Sequence, residues 1–390
     1  MRIAFFSECW DPQINGVVTS TKALSRALRD AGNEVFIFTP SYPGYVDTYP
    51  YIFRQFAVKY IFQPEFYFSS PLPYQALRAA RKFKIELIHL HTEFTLAMVA
   101  KKIAQRLDLP MVLTLHTLWE HYSHYFLWDL LPRNLFRFFL SMLYHGPDYF
   151  IAPSQKAKDY LRQVMKITKP IEVIPTGIEL EAFMRPCLKP AERQHIRLKW
   201  GLKGDELLLM FAGRIGKEKS ITTIFEALTH LRNFSPRIKL LVVGSGPQLA
   251  YLKSLALRRE LEERIIFTGY IQYDDMPKMY QAADIFVMPS VSETQGLVTV
   301  EALASGLPII VRKDPASLDI IGGGKYGLVF NDVNELAKQI RTLAQNPGLR
   351  QSLARQAPEA VRRFNTAAYG KAVQSFYQDI RQDFYRRKRS

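Results

Sequence analysis

Leu207-Leu208-Leu209-Met210-Phe211-Ala212-Gly213-Arg214-Ile215-Gly216-Lys217-Glu218-Lys219 is an apolar run of strand length that ends in glycine and charge. The same unit recurs downstream, with apolar runs at 239–243, 265–268, 284–288 and 308–311. Helix-length amphipathic stretches at 222–231, 247–259, 276–282 and 298–304 join them. Short apolar strands alternating with helices predict a parallel sheet covered on both faces. Upstream the alternation appears once more, with runs at 3–7, 34–38, 86–90, 111–115, 149–152 and 172–174. A helix is expected over 17–31, stopped by Gly32, and another over 155–165 behind the cap residue Ser154. The break near 175–190 is rich in Pro, Gly and charge and lacks periodicity.

The expected architecture is therefore α/β: two doubly wound, Rossmann-like domains facing across a cleft. The boundaries are 1–176 for an N-terminal, acceptor-side domain and 188–365 for a C-terminal, nucleotide-binding one. Residues 366–390 form a last helix and basic tail that could cross back to the first domain. Open parallel sheets bind ligands at the carboxyl ends of their strands, so the strand-to-helix loops carry the chemistry.

Composition narrows the class. Hydrophobic residues at 48% and charged ones at 23% fit a globular protein and exclude a disordered one. Cys9 and Cys187 cannot build a disulfide framework, and both read as small buried residues. No run approaches the ~18 apolar residues of a membrane span, and residues 1–12 read as a strand and polar turn rather than a signal peptide. A cytoplasmic protein is expected. The net charge of +16 asks for an anionic partner, and residues 350–390 hold 10 basic against 3 acidic side chains. Nucleic acid is the poorer choice of partner, because no recognition helix, RRM or zinc-finger pattern is present.

Four loops in the second half suit a phosphate-bearing ligand. In Gly213–Lys219 the glycines let the backbone approach a ligand, and Arg214 and Lys219 offer two cations; a solvated loop is the plainer reading of that stretch alone. Val243-Gly244-Ser245-Gly246-Pro247 is half of a dinucleotide fingerprint. Thr268-Gly269-Tyr270-Ile271 ends a strand whose backbone at Ile271 could pair with a base edge, or be an ordinary loop. The fourth is Pro289-Ser290-Val291-Ser292-Glu293-Thr294-Gln295-Gly296-Leu297, followed by a helix carrying Glu301. Free N–H groups at that helix start make an anion site. Carboxylates accept bonds from hydroxyls, which a sugar nucleotide offers at both ends, so Glu293 and Glu301 are assigned one to the sugar and one to the ribose.

Glu293 and Glu301, with the surrounding Pro-Ser, Gly, Glu-Ala and Gly-Leu-Pro positions and the Gly-Arg-x4-Lys loop ending in Lys219, resemble the paired-glutamate signature of retaining glycosyltransferases of family 4, which have the GT-B fold. The likeness covers nearly the whole chain. It implies that Glu293 contacts the donor sugar, Glu301 the ribose, and Arg214 and Lys219 the leaving diphosphate, with Thr294, Gln295, Gly296 and Leu297 around the phosphates. It also implies that Gly16, in Asn15-Gly16-Val17-Val18, meets the phosphates from the first domain and that His116 lies close to the reacting sugar. Taken alone, a histidine such as His116 is more often a core or loop side chain. No cofactor and no metal are expected: there is no Asp-x-Asp pair, and His116, Glu120 and His124 share a face only if their segment is one helix.

The pattern His116-Thr117-x-aromatic-Glu120-x-Tyr122-x-His124-Tyr125, with Leu90-His91-Thr92-Glu93-Phe94, is similar to bacterial diacylglycerol glucosyltransferases. That likeness implies transfer of glucose from UDP-glucose to 1,2-diacylglycerol at the inner face of the cell membrane. Trp119 and His121 stand where Tyr and Asp are commoner. Phosphatidylinositol, a soluble glycan or alcohol, and a sugar-nucleotide epimerase of the same fold are the alternatives. Peripheral docking needs apolar insertion plus basic attraction. Leu130, Leu131, Phe136, Phe139 and Leu140 are the expected insertion residues. Arg78, Arg81, Lys82, Lys84, Arg133, Arg137 and the tail 386–389 are the expected cations.

Overall fold

The computed structural model describes residues 1–60, 66–120, 133–184, 188–203, 206–234 and 237–388, and within helix 133–144 the side chains at 135, 137, 138 and 140–144. The chain divides into two compact units, Met1–Ile178 with Thr366–Ser390, and Glu179–Asn365.

The first unit runs β1 (Arg2–Phe6), α1 (Gly16–Asp30), β2 (Glu34–Pro40), β3 (Ile52–Gln55), β4 (Ala57–Lys59), β5 (Tyr67–Ser69), α2 (Tyr74–Lys82), β6 (Leu87–Leu90), α3 (Thr95–Leu107), β7 (Met111–Thr114), α4 (Arg133–Tyr144), β8 (Tyr149–Ala152), α5 (Gln155–Asp159) and β9 (Ile171–Val173). Seven of its strands form one parallel sheet in the order β3-β2-β1-β6-β7-β8-β9, and β4 pairs antiparallel with β5. The helix expected over 155–165 is α5 continued by a π turn, Tyr160–Val164. At α1 the Asn15 side chain accepts from Val18 N at 3.0 Å, and Gly32 at φ 81° ends the run.

The second unit runs α6 (Leu180–Phe183), α7 (Pro190–Lys199), β10 (Leu207–Ala212), α8 (Thr222–His230), β11 (Ile238–Val243), α9 (Leu249–Arg258), β12 (Ile265–Gly269), α10 (Met276–Ala282), β13 (Ile285–Met288), α11 (Leu297–Ala304), β14 (Ile309–Arg312), α12 (Pro315–Ile320), β15 (Leu328–Phe330), α13 (Val333–Gln345) and α14 (Pro347–Val361). Its parallel sheet has the order β12-β11-β10-β13-β14-β15. The final helix, α15 (Thr366–Arg387), belongs to the first unit.

Alternation along the strands of the first sheet explains where α15 goes. Ala4, Phe6, Phe36, Phe38, Ile88 and Leu90 point to one core, with α2 and α3. Ile3, Phe5, Val35, Ile37 and Leu87 point to the other, where Leu24 and Leu28 of α1 meet Tyr369, Val373, Tyr377 and Ile380 of α15. The helices touch at Gly370, where an added Cβ would lie 2.5 Å from Ala27 Cβ. That face of the sheet is closed only when the chain's last helix returns to it.

In each sheet the strand order reverses once, between β1 and β6 in the first and between β10 and β13 in the second. Such a switch point splays the two following loops apart and leaves a crevice at the carboxyl ends of the strands.

Candidate active site

In the second unit, two of the four loops singled out for phosphate and sugar chemistry flank the switch point. The loop after β10 carries Arg214 and Lys219, and the loop after β13 carries Glu293. Lys219 Nζ donates to Glu293 Oε1 at 2.6 Å, with both side chains largely covered. The structure thus joins in one ion pair two residues to which the sequence gives separate ligands, diphosphate and sugar. Two serines fix the pair's spacing. Ser292 Oγ donates to the Glu218 carbonyl at 3.2 Å, Ser290 Oγ approaches the same oxygen at 3.5 Å, and the two hydroxyls lie 3.0 Å apart. Sequence reading passed over their role, because a Ser pair in a loop carries no signal until the neighbouring loop is known.

Glycines set the close approaches. A Cβ at Gly216 would fall 2.2 Å from the Glu218 carboxylate. At Gly244 (φ 130°) it would fall 2.0 Å from the Gly213 carbonyl, and at Gly246 2.5 Å from the Ile215 carbonyl. The two loops are also laced by Ile215 N to Ser245 O at 2.8 Å and Gln248 N to Ile215 O at 3.0 Å. The Gly-x-Gly turn after β11 therefore makes room for the Arg214 loop, a different service from the phosphate contact its fingerprint suggests. Gly296 (φ 98°) turns the chain into α11, with Gln295 buried beneath and Thr294 and Leu297 half-buried. Ile271 is half-buried just beyond β12.

Glu301, on α11, is 5% exposed. Tyr280 OH of α10 donates to its Oε2 at 2.8 Å, and Tyr273 donates to the same carboxyl. Burial raises its pKa to about 7, while the two phenols pull it down. Neither tyrosine belongs to a motif, and the only sequence signal for them is that a carboxyl buried in an apolar helix needs donors. Phe183 of α6 packs edge-on against both rings, at 5.7 and 6.0 Å.

The first unit's switch point is built differently. Gly16 is exposed as the first residue of α1, its approach loop held by Arg54, which grips Asp47 at 2.6 and 2.9 Å and the Pro40 and Asp11 carbonyls at 2.8 Å. Glu8, after β1, is buried; it accepts from Leu96 N at 2.6 Å and from the Thr92 hydroxyl, and so caps α3. Glu93, after β6, accepts from Trp119 Nε1 at 3.0 Å and Tyr144 OH at 3.4 Å, and burial raises its pKa to about 8. His116 follows β7, and its Nε2 lies 3.1 Å from His91 Nδ1. Burial lowers its pKa to about 4. Glu120 pairs with Arg137 at 2.6 Å, and His124 lies outside the described residues. Among the described residues no group of three or more His, Cys, Asp or Glu side chains is placed to hold a metal ion.

Residues 14–182 match the model of Glycosyltransferase Family 4, and residues 192–360 match that of Glycosyl transferases group 1. The alpha-monoglucosyldiacylglycerol synthase of Streptococcus pneumoniae is 33% identical over 97% of this chain and 86% of its own. That of Acholeplasma laidlawii is 30% identical over 97% of both chains. The chain belongs to glycosyltransferase family 4. Among solved structures, sucrose-phosphate synthase from Thermosynechococcus elongatus superposes with a TM-score of 0.79 at 24% identity, covering 97% of this chain and 98% of that one, and it shares the GT-B fold.

The glycosyltransferase has no described helix long and apolar enough to cross a membrane. The expected docking surface needs correction. Leu140 is fully buried, because it lies on the face of α4 that packs against the core. Among the described side chains of α4, the exposed apolar ones are Leu135, Phe138 and Met142, at i, i+3 and i+7 on one face. Leu130 and Leu131 and the side chains of Arg133, Phe136 and Phe139 lie outside the described residues, as do Cys187, Arg389 and the segment that holds His121. Arg137 is paired with Glu120. In the tail, Arg386 and Arg387 pair with Asp383 at 3.2 and 2.7 Å, and Lys388 with Asp108. Arg78, Arg81, Lys82 and Lys84 are exposed.

Proposed function

We propose that the enzyme transfers glucose from UDP-glucose to 1,2-diacylglycerol, with retention at the anomeric carbon and without a metal, as a cytoplasmic protein docked on the inner face of the cell membrane. The observation that carries the transfer chemistry is the Lys219–Glu293 pair across the second sheet's switch point. The choice of a hexose and of a lipid acceptor is supported by the names of the two relatives, which span nearly the whole chain.

The roles are assigned on this reading. UDP-glucose brings hydroxyls to Glu293 and a diphosphate to Lys219 and Arg214, so the donor divides the ion pair between an acceptor and a cation it already contains. Glu301 accepts from the ribose hydroxyls, with Tyr273 and Tyr280 holding its orientation. As the bond from the anomeric carbon to the phosphate oxygen breaks, Lys219, Arg214 and the α11 N–H groups stabilise the charge that gathers on the diphosphate. The acceptor hydroxyl attacks from the face the phosphate leaves, and its proton passes to the departing phosphate oxygen. Neutral His116 serves the sugar as a hydrogen-bond partner.

Docking is assigned to the exposed face of α4 and the cations of α2 and residue 84. Each basic side chain near an anionic surface adds about 1 kcal/mol, so a few suffice for binding that salt reverses. The deciding experiment incubates the enzyme with nucleotide sugars and diacylglycerol in anionic or neutral vesicles, with and without a chelator. The expected product is an α-glucosyl diacylglycerol, formed on anionic vesicles and unaffected by chelation. Transfer that depends on added divalent metal, or only to a water-soluble acceptor, would overturn the mechanism or the acceptor respectively.

A further inference from the structure

A carboxylate is an unusual companion for the cations of a diphosphate site, and Glu293 sits directly on one of them. Lys219 Nζ lies 2.6 Å from Glu293 Oε1, with the two side chains only 14% and 12% exposed, so salt and water screen the contact little. Each end is held by its own loop. Lys219 closes a 3-10 turn, its N–H donating to Gly216 O at 3.1 Å, and Ser220 turns the chain away at φ 51°. Glu293 stands one residue past Ser292, whose hydroxyl donates to the Glu218 carbonyl at 3.2 Å. The pair is the resting arrangement of two braced loops, and a ligand that draws on Lys219 works against it.

What that costs depends on what the ligand brings. A nucleoside diphosphate with a free terminal phosphate carries more negative charge than one esterified to a sugar. A site made only of cations would therefore hold the spent nucleotide more tightly than the donor. Glu293 changes that order. A sugar ester brings hydroxyls that donate to the carboxylate while its diphosphate takes the ammonium, so both members of the pair keep a partner. A free diphosphate brings no such donor, and it leaves a largely covered carboxylate facing like charge. Even where Nζ spans both groups, its charge is shared and the repulsion between phosphate and carboxylate remains.

We propose that Glu293 is the residue that makes this site discriminate between a sugar nucleotide and the free nucleoside diphosphate, by holding Lys219 until sugar hydroxyls take its place. The proposal rests on the reading that Lys219 meets the diphosphate and Glu293 the sugar, and it gives the ion pair itself a task. Once the sugar has gone to the acceptor, Glu293 loses its hydroxyl donors and takes Lys219 back, which weakens the hold on the spent nucleotide. Both residues belong to the second unit.

Calorimetric titration of the full-length enzyme with UDP and with UDP-glucose, in the absence of acceptor, tests this. Glu293→Gln keeps the shape of the side chain and removes its charge. It should tighten UDP by roughly tenfold, the size of one charge-assisted contact, and change UDP-glucose by less than about threefold. Inhibition of transfer by UDP should strengthen in parallel. A purely structural role would weaken both ligands together, since a loosened loop costs every contact. Glu293→Ala removes the same charge and takes over the test if Glu293→Gln does not fold. UDP bound no more tightly in the variant overturns the proposal, and a loss confined to UDP-glucose would then leave the sugar contact standing. UDP and UDP-glucose tightened equally would overturn the sugar contact and the discrimination with it. A wild-type enzyme that binds neither ligand overturns the donor reading along with the proposal.

Discussion

The two switch points share a topology and differ in charge. At the second, a cation and a carboxylate meet at 2.6 Å on loops that remain partly open. At the first, beside the Arg54–Asp47 pair, five ionisable groups are buried and driven towards neutrality, Glu8 and Glu93 upward and His89, His91 and His116 downward, as Glu301 is at the second. On the proposed reading, one crevice keeps charge ready for a charged ligand, and the other offers a less charged place to the acceptor. A group transfer that moves negative charge onto a diphosphate needs its electrostatics on the donor side alone. The difference between the regions is thus a division of labour that sheet topology by itself does not impose.

The harshest way to break the comparison is to discharge the second crevice. Lys219→Ala should lower kcat by about 100- to 1,000-fold, the usual cost of losing one donor to developing charge. Donor affinity should fall far less, since diphosphate charge grows in the transition state. Steady-state kinetics decide, and a loss confined to KM would mean that Lys219 only binds.

A smaller effect is expected at Glu301. Its carboxyl lies in the ionised form only above a pKa raised to about 7, and a carboxylate accepts from ribose hydroxyls better than a neutral acid. Donor affinity should therefore rise as pH passes upward through about 7. Glu301→Gln should lower it by roughly tenfold and flatten that dependence, an effect of the size of one hydrogen bond to a charged group. Equilibrium binding of the nucleotide sugar from about pH 6 to about pH 8, one unit either side of neutrality, measures both. A wild-type affinity that is flat across the range would detach Glu301 from the ribose.

Smaller again is the effect of loosening the two loops without touching charge. Ser292→Ala removes a bond to the Glu218 carbonyl, worth about 1 kcal/mol. It should lower kcat by roughly fivefold through a less constrained Lys219, with little change in melting temperature. Equal losses in Lys219→Ala and in the double variant Lys219→Ala/Ser292→Ala would confirm that the serine acts through the lysine. Independent, multiplying losses would assign it another task.

What could be read from the sequence follows from physics. Arg214, Lys219 and Glu293 stand out only in combination: glycine and charge after one apolar run read as a solvated loop, and it is the resemblance to the paired-glutamate signature that joins the two loops. Glu301 is legible because a carboxylate in the helix of Leu297, Val300 and Leu303 is out of place. Its partners Tyr273 and Tyr280 are not, since a phenol on another helix looks like any core aromatic. Glu8 carries no signal in the sequence and Glu93 enters only within the Leu90–Phe94 pattern; the fold reveals that both are buried. The strands β3 to β5, three or four residues each, are too short for periodicity to register. Three of the expected insertion residues, Phe136, Phe139 and Leu140, belong to α4, a helix apolar nearly all round, where spacing cannot say which face turns inward. Leu140 went to the core and Leu135, Phe138 and Met142 to the surface.

The mildest test acts on the neutral crevice. Glu93 has a folded pKa raised to about 8 from an ordinary 4.5, chiefly by burial. Between those values the folded enzyme holds a proton that the unfolded chain has released, so wild-type stability should fall as pH rises from about 4.5 to 8. Below 4.5 both states are protonated and the difference vanishes. Glu93→Gln keeps a neutral group of nearly the same shape beside Trp119 Nε1 and Tyr144 OH. It should melt like the wild type at low pH and more favourably than the wild type as pH approaches 8. Transfer at neutral pH should change less than about twofold, because at that pH the native acid is already mostly neutral. Melting curves over this range with activity at pH 7 decide the matter. A variant that loses activity at neutral pH with unchanged stability would place an ionised Glu93 in the chemistry, and the first crevice would then be charged after all.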